Sequence, residues 1–155
     1  MTPIRVFVVD DHPIFRLGVA RVLRDEPQFF CVGDAASGLE AARRAPEIGA
    51  DVVLLDMDMP GMSAVATMST LREVMPRARF VMVTAELDAT ELRRAYASGA
   101  SCVLHKTASP QELVTVLQAA YRGQSIYSPA VADVLSSRPG TAYEVGADLT
   151  QRERK

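Results

Sequence analysis

Five polar side chains lie at or just beyond the ends of short apolar runs of the sequence, in places where a buried charge or hydroxyl is costly. They are Asp10, Asp11, Asp56, Thr84 and Lys106. If the apolar runs are parallel strands, their carboxyl ends lie at one edge of a sheet and these side chains meet there. Three crowded carboxylates repel one another unless a cation lies between them, and oxygen ligands of this kind suit Mg²⁺.

Asp56 is placed to act as a nucleophile within this group. It ends the run VVLLD at 52–56, and a Pro-Gly turn follows at 60–61. A carboxylate can attack phosphorus to form an acyl phosphate while a metal ion neutralises the phosphoryl oxygens. Lys106 is a compact charge suited to another phosphoryl oxygen, and the hydroxyl of Thr84 can donate to a third. Each residue alone is more often a helix cap, a strand residue or a turn residue. Their joint occurrence at four strand ends favours a phosphoryl site.

Strands and helices alternate along the first four-fifths of the chain. Apolar runs predict strands over 5–9, 29–35, 52–56, 80–83 and 102–104. Helical spacing predicts helices over 13–26, 39–48, 63–74 and 88–98, and a fifth from Ser109-Pro110 to Gly123. Five such units predict an α/β fold, a doubly wound five-stranded parallel sheet with helices on both faces.

The composition sets limits on function and location. The net charge of −2 argues against a strongly basic nucleic-acid-binding surface in these residues. No apolar run approaches the roughly 20 residues that span a bilayer, and no signal peptide is apparent. Cys31 and Cys102 lie in strand-like runs, which favours buried reduced thiols. We therefore predict a cytoplasmic protein without a membrane segment. His12 and His105 are interpreted as side chains at a helix start and a strand end, since no His/Cys cluster supports either as a ligand.

The amino-acid composition and pattern of the sequence change after Gly123. Ser128-Pro129 could begin a short helix through Leu135, and residues 136–147 (SSRPGTAYEVGA) have the small and turn residues of a linker. Thr150 and Glu153 have the spacing of a capping box, which marks the start of a helix. We predict one domain over 1–126, a linker with room for a short helix over 127–147, and the start of another unit over 148–155.

The chemistry-bearing residues resemble the receiver domain of two-component response regulators. The resemblance covers residues 4–126. It rests on Asp10-Asp11 with His12-Pro13, LLDMDMPGM at 54–62, Thr84-Ala85, SGASCVLHK at 98–106 and Ser109-Pro110. It implies a flavodoxin-like (βα)5 receiver in which Asp56 takes a phosphoryl group from a phosphohistidine on a sensor histidine kinase. It also implies that Thr84 and Lys106 contact that phosphoryl group. The implied Mg²⁺ ligands are Asp10, Asp11, Asp56 and the backbone carbonyl of Asp58.

The tail residues 149–154 (LTQRER) look like the opening of a LuxR/NarL-type helix-turn-helix domain. Such a domain would need on the order of 50 more residues. The resemblance therefore implies a transcription regulator whose DNA-binding domain is missing from this chain, so that DNA is contacted only through the missing part. It implies a self-phosphorylating and autodephosphorylating switch, not a turnover enzyme. Because regulators of this type often pair through the receiver or the output domain, we expect a homodimer.

Two residues depart from the pattern of that family. Ala64 stands where a glycine usually follows the phosphoacceptor loop, which bears on loop geometry and not on the chemistry. The other departure concerns the switch position. A Tyr or Phe usually lies three residues before the lysine and moves inward with the threonine, but this position is Val103. Valine cannot make that movement. We predict that phosphorylation still occurs, while its output is weaker or takes another route.

Two other interpretations remain open from the sequence. Asp56-x-Asp58 also resembles the nucleophile motif of haloacid-dehalogenase-type phosphatases. That family carries the motif on its first core strand and usually has Thr or Val where Pro60 stands, which argues against it. The other interpretation is a receiver-like interaction module that works without phosphorylation. Val103 favours such a module, and the complete acidic and Thr/Lys set opposes it.

Overall fold

The computed structural model describes residues 2–136, which form one parallel sheet with helices on both faces. The strands are β1 (Ile4–Val9), β2 (Phe29–Ala35), β3 (Val52–Asp56), β4 (Arg79–Thr84) and β5 (Cys102–His105), in the order β2-β1-β3-β4-β5. The helices are α1 (Pro13–Arg24), α2 (Gly38–Arg44), α3 (Ala64–Val74), α4 (Ala89–Ala97), α5 (Pro110–Tyr121) and α6 (Pro129–Ser136). The predicted doubly wound five-stranded sheet is confirmed.

The central strand β3 explains why the sheet needs helices on both faces. All five of its residues are buried, and alternate side chains face opposite sides of the sheet. Val53 and Leu55 join a core cluster with residues of α2, α3 and α4. Val52 and Leu54 join a second cluster with residues of α1 and α5. The unbroken apolar run at 52–55 is therefore typical of a strand that is covered on both sides.

Serine and aspartate side chains fix the starts of four helices. Ser37, Ser63, Asp88 and Ser109 each accept a hydrogen bond from the backbone N–H three residues later. The predicted helix over 39–48 was wrong at its end, because α2 ends at Arg44 and a 3-10 turn covers Ala45–Glu47. Pro46 has no N–H to donate, so it cannot continue the hydrogen-bond pattern of an α-helix.

The helix α6 lies in the segment predicted as a linker, and it packs against the core that the sheet and the other helices form. Val131 is 0% exposed and belongs to the core cluster that contains Val53. The predicted short helix is thus present and docked. The remainder of the predicted linker and the predicted helix start at 148–155 lie outside the described residues.

Two expectations from composition can be compared with residues 2–136. In this part of the chain no helix is both long enough and apolar enough to cross a membrane. Cys31 and Cys102 are both free thiols. Cys102 is buried as predicted, whereas Cys31 is only half-buried.

Two glycines offer a matched test of the packing. A Cβ at Gly38 would clash with Thr67 Oγ1 of α3 and lie 3.2 Å from Met62 Cβ, so α2 and α3 approach closely there. We expect Gly38→Ala to lower the free energy of unfolding by about 1–3 kcal/mol through overpacking. Gly18→Ala is the control, because nothing lies within 4 Å of its new Cβ on helix α1. There we expect a gain of about 0.5–1 kcal/mol. Urea unfolding measures both, and equal effects of the two substitutions would contradict the close approach.

Candidate functional site

The four predicted strand ends meet at one edge of the sheet. Asp10 follows β1, Asp56 ends β3 and Thr84 ends β4, while Lys106 follows β5. The strand register pairs Asp56 with Val83 and Thr84 with His105, so these ends are level. Lys106 Nζ lies 2.8 Å from Asp10 Oδ2 and 3.2 Å from Asp56 Oδ2. One lysine thus bridges the carboxylates of two adjacent strands.

Burial and neighbouring charges shift the pKa values of Asp56 and Lys106. Asp10 and Asp56 are each only 1% exposed. Burial raises the pKa of Asp56, and the charge of Asp10 adds to the increase, against the lowering effects of the Asp58 N–H and of Lys106. Burial alone would lower the pKa of Lys106, but hydrogen bonding and attraction to Asp10 and Asp56 outweigh it and raise that pKa. The site therefore holds a firmly charged lysine against a carboxylate that benefits from added positive charge.

Asp58 and Thr84 connect the loop after β3 with the loop after β4. The N–H of Asp58 donates to Asp56 Oδ1 at 2.9 Å, and Asp58 Oδ2 accepts from the N–H of Ala85 at 3.1 Å. Thr84 Oγ1 lies 2.8 Å from the carbonyl oxygen of Glu86 and 3.4 Å from Asp58 Oδ2. A hydroxyl has one proton, so the shorter contact to Glu86 is the better hydrogen bond. The Thr84 hydroxyl is thereby engaged with the loop that leads into α4.

His12 lies in the site, and the sequence interpretation missed it. Its Nδ1 is 2.9 Å from Asp10 Oδ1 and 3.2 Å from Asp11 Oδ1, and it lies 2.7 Å from Lys106 Nζ. The imidazole remains well exposed, with 60% of the side chain accessible. The available signal was its position between an acidic pair and the start of α1, which places it at the same sheet edge.

The cluster could hold a metal ion. Each of Asp10, Asp11, His12 and Asp56 offers a ligand atom, and these atoms lie within 4.8 Å of one another. Asp11 Oδ1 is buried and has no hydrogen-bond partner among the described residues, and the contact of the buried Asp10 Oδ2 is its ion pair with Lys106. Unsatisfied carboxylate oxygens are hard donors, so the residues fit a cation such as Mg²⁺.

Comparison with known proteins identifies the family. The model of the response regulator receiver domain matches residues 6–118. The chain belongs to the response regulator receiver family. It is similar to the response regulator protein VraR of Staphylococcus epidermidis, with 31% identity over 150 residues, which are 97% of this chain and 72% of that protein. The chain is therefore a receiver and not a turnover enzyme, and its relatives are regulators that signal through phosphorylation.

Two solved structures are similar to this chain. The first is a two-component response regulator of the LuxR family from Aurantimonas sp. SI85-9A1. It is 30% identical with a TM-score of 0.80, over 87% of this chain and 96% of that one. The second is RcsB, at 20% identity and a TM-score of 0.79 over 86% of this chain and 68% of that one, which shows the same fold. Full-length relatives of this receiver thus include LuxR-type transcription regulators.

Val103 lies in the core of the receiver and has an aromatic neighbour from a different element. Its side chain is 2% exposed, and its N–H donates to the hydroxyl oxygen of Tyr96 at 3.1 Å. Burial raises the pKa of Tyr96, so its phenol stays neutral. The aromatic ring beside this strand is thus supplied by helix α4. This contact could not be predicted from the sequence pattern, because Tyr96 is seven positions away on another element.

An apolar groove lies beside the acidic cluster. It has a volume of about 290 Å³ between α1 and the loop from β5 to α5. Lys106 Nζ lies 4.9 Å from the ring centre of Phe15, so the lysine of the site also borders the groove. Ile14 and Leu17 of α1 are 83% and 70% exposed. Such exposure of large aliphatic side chains next to a reactive site indicates a contact surface.

Proposed function

We propose that this receiver accepts a phosphoryl group on Asp56 from a phosphohistidine of a sensor histidine kinase. The observation that supports the proposal most is the position of Asp56, buried at a sheet edge with Lys106 at 3.2 Å and Asp10 on the adjacent strand. The phosphorylated form would control a DNA-binding domain and so regulate transcription. In this proposal residues 1–126 are the receiver, 127–147 the linker and 148–155 the start of the helix-turn-helix domain.

The residues of the site would divide the chemistry among them. A carboxylate oxygen of Asp56 attacks phosphorus, the new O–P bond forms, and the P–N bond breaks with its electron pair passing to the imidazole of the donor. Lys106 stabilises one phosphoryl oxygen by its charge. The Thr84 hydroxyl donates to another after leaving the carbonyl of Glu86. Later attack by water on the acyl phosphate restores Asp56, so the switch resets itself.

Mg²⁺ fits the acidic cluster and would supply charge neutralisation at the phosphoryl oxygens. The residues proposed to hold it are Asp10, Asp11, Asp56 and the backbone carbonyl of Asp58. Asp10 is oriented by its own neighbours: its Oδ1 accepts from the N–H of His12, and its carbonyl accepts from Arg16 at 2.6 Å. We place the protein in the cytoplasm, in accord with its two free thiols.

Phosphoryl acceptance can be tested without a kinase. The chain is incubated with acetyl phosphate and Mg²⁺, and its intact mass is measured. We expect a gain of one phosphoryl group. A mass that stays unchanged under every donor would instead favour the alternative, an interaction module that works without phosphorylation. Val103 is the residue that favours this alternative.

The groove beside α1 is proposed as the contact surface for the kinase. A phosphohistidine can reach Asp56 only from the solvent side of the acidic cluster, and the exposed Ile14 and Leu17 are on the helix that follows this cluster in the chain. An apolar partner surface there would hold the donor while transfer takes place.

Ile14→Asp should separate recognition of the kinase from the chemistry of the site, because Ile14 lines the groove and is exposed. We expect phosphotransfer from the cognate kinase to slow by about tenfold or more, because a buried apolar contact becomes an unpaired charge. Labelling by acetyl phosphate should not change. Leu39→Asp is the control, since Leu39 is also exposed (56%) but lies on α2. Equal slowing by both substitutions, or slowing with acetyl phosphate, would remove the groove from the proposal.

We also propose that the protein acts as a homodimer and binds DNA only through the domain that follows the linker. The RcsB structure is described as two RcsB dimers bound to two parallel DNAs, and it shares this fold. Sedimentation of the chain with and without acetyl phosphate would test for pairing through the receiver.

A further inference from the structure

The helix α6 covers the outer face of α4. Val131 is 0% exposed, and Val134 and Leu135 pack against the same core cluster. Arg93 of α4 donates from Nη2 to the carbonyl oxygen of Leu135 at 3.2 Å, near the end of α6. An isolated helix of eight residues is marginal in water, so α6 depends on this docking for its structure.

A pair of tyrosines fixes the entry to α6. The rings of Tyr96 and Tyr127 meet edge to face, with centroids 5.3 Å apart and an interplanar angle of 81°. The same Tyr96 accepts the N–H of Val103 through its hydroxyl oxygen. One aromatic side chain therefore touches both strand β5, at the position where an aromatic switch residue is usual, and the segment that leads into α6.

The other end of α4 is tied to the acidic site. Thr84 Oγ1 accepts from the N–H of Glu86 at 3.1 Å and contacts its carbonyl oxygen at 2.8 Å. Leu87 packs against the core cluster, and Asp88 caps α4 by accepting from the N–H of Glu91 at 3.0 Å. If the Thr84 hydroxyl turns to a phosphoryl oxygen, it must give up its bond to the Glu86 carbonyl. The loop that positions α4 then loses a restraint.

We propose that α6 reports phosphorylation: it is docked on α4 in the unphosphorylated receiver, and occupation of the Asp56 site weakens its Tyr96–Tyr127 and Val131 contacts. This inference rests on the proposed function. It gives the output a route through α4, since the side chain of Val103 cannot make the aromatic movement. Release of α6 would change the path of the linker and uncover the apolar face of α4.

Amide hydrogen exchange of the whole chain tests the inference, with beryllofluoride and Mg²⁺ as the phosphoryl mimic. We expect the amides of α6 to exchange about tenfold faster with the mimic than with Mg²⁺ alone, while those of β3 keep their protection. The same preparation is labelled with acetyl phosphate and its mass measured. A phosphoryl gain without a change in α6 overturns this inference and leaves the proposed function standing. No gain with any donor overturns both.

Matched substitutions on α6 test the docking itself. Val131→Asp should raise exchange in α6 without any mimic, because it places a charge on the buried face. Ala132→Asp adds the same charge at an exposed neighbour and should behave as wild type. Tyr127→Ala is the second variant, since Tyr127 is 49% exposed and its loss does not open the core. Protection of α6 that stays at the wild-type level in both Val131→Asp and Tyr127→Ala would contradict the docked state.

Discussion

Asp56→Asn is expected to abolish labelling by acetyl phosphate and by any cognate kinase. An amide is a poor nucleophile and cannot form the acyl phosphate. Intact mass spectrometry in the presence of Mg²⁺ should show complete loss of the phosphoryl adduct, to below about one part in a hundred of the wild-type level.

Asp58→Asn is the matched control for this substitution. Its carboxylate lies only two residues away, but Oδ2 is bound to the N–H of Ala85. We expect Asp58→Asn to remain phosphorylated, with an altered lifetime of the adduct. Retention of the adduct in Asp56→Asn together with its loss in Asp58→Asn would reassign the phosphoacceptor.

Unfolding of the Asp56→Asn variant would not account for its loss of phosphoryl labelling. Because burial and Asp10 raise the pKa of Asp56 in the folded chain, the unfolded chain gives up that proton more easily as the pH rises from about 4. The ionised Asp56 therefore lowers the free energy of unfolding at neutral pH. This loss develops as the pH rises from about 4 through the raised pKa of Asp56 in the folded chain. Asn removes the charge, so the thermal midpoint without Mg²⁺ is expected to stay level or increase.

The positions of the site residues at the strand ends could be predicted because the local sequence pattern and the parallel topology both indicate them. The buried run at 52–55 can only be a strand covered on both faces, and Asp56 directly follows it. Parallel alternation then fixes which end of each strand carries Asp10, Thr84 and Lys106. No side-chain geometry is needed for that step, and the structure agrees with it.

The parts that the sequence did not predict depend on side-chain direction and on contacts between distant elements. His12 does lie at the start of α1, as predicted, but its contacts with Asp10 and Lys106 depend on the orientation of its ring, which the sequence pattern does not indicate. The Tyr96–Val103 hydrogen bond and the burial of Val131 are of the same kind. A short apolar helix after a Gly-containing turn has the same local pattern whether it is docked or solvated.

Removal of one acidic ligand should separate metal binding from folding. The Asp11 side chain is 32% exposed and its buried Oδ1 has no hydrogen-bond partner among the described residues, so Asp11→Asn is not expected to disturb the core. It removes a charge that Mg²⁺ would neutralise. We expect Mg²⁺ affinity to fall by at least about 10–100-fold, the range seen even for outer-shell partners of metal sites. Phosphorylation by acetyl phosphate should fall with it.

Thermal unfolding with increasing Mg²⁺ gives a direct measurement of that affinity. A ligand that binds only the folded state raises the thermal midpoint with concentration. Wild type should show this increase and Asp11→Asn should need far more Mg²⁺ to reach it, whereas Asp34→Asn, an exposed aspartate on β2, should match wild type. Both substitutions change the net charge by the same amount, so a difference between them would come from the loss of Asp11 as a ligand. Identical Mg²⁺ responses in the two variants would therefore exclude Asp11 from the metal site.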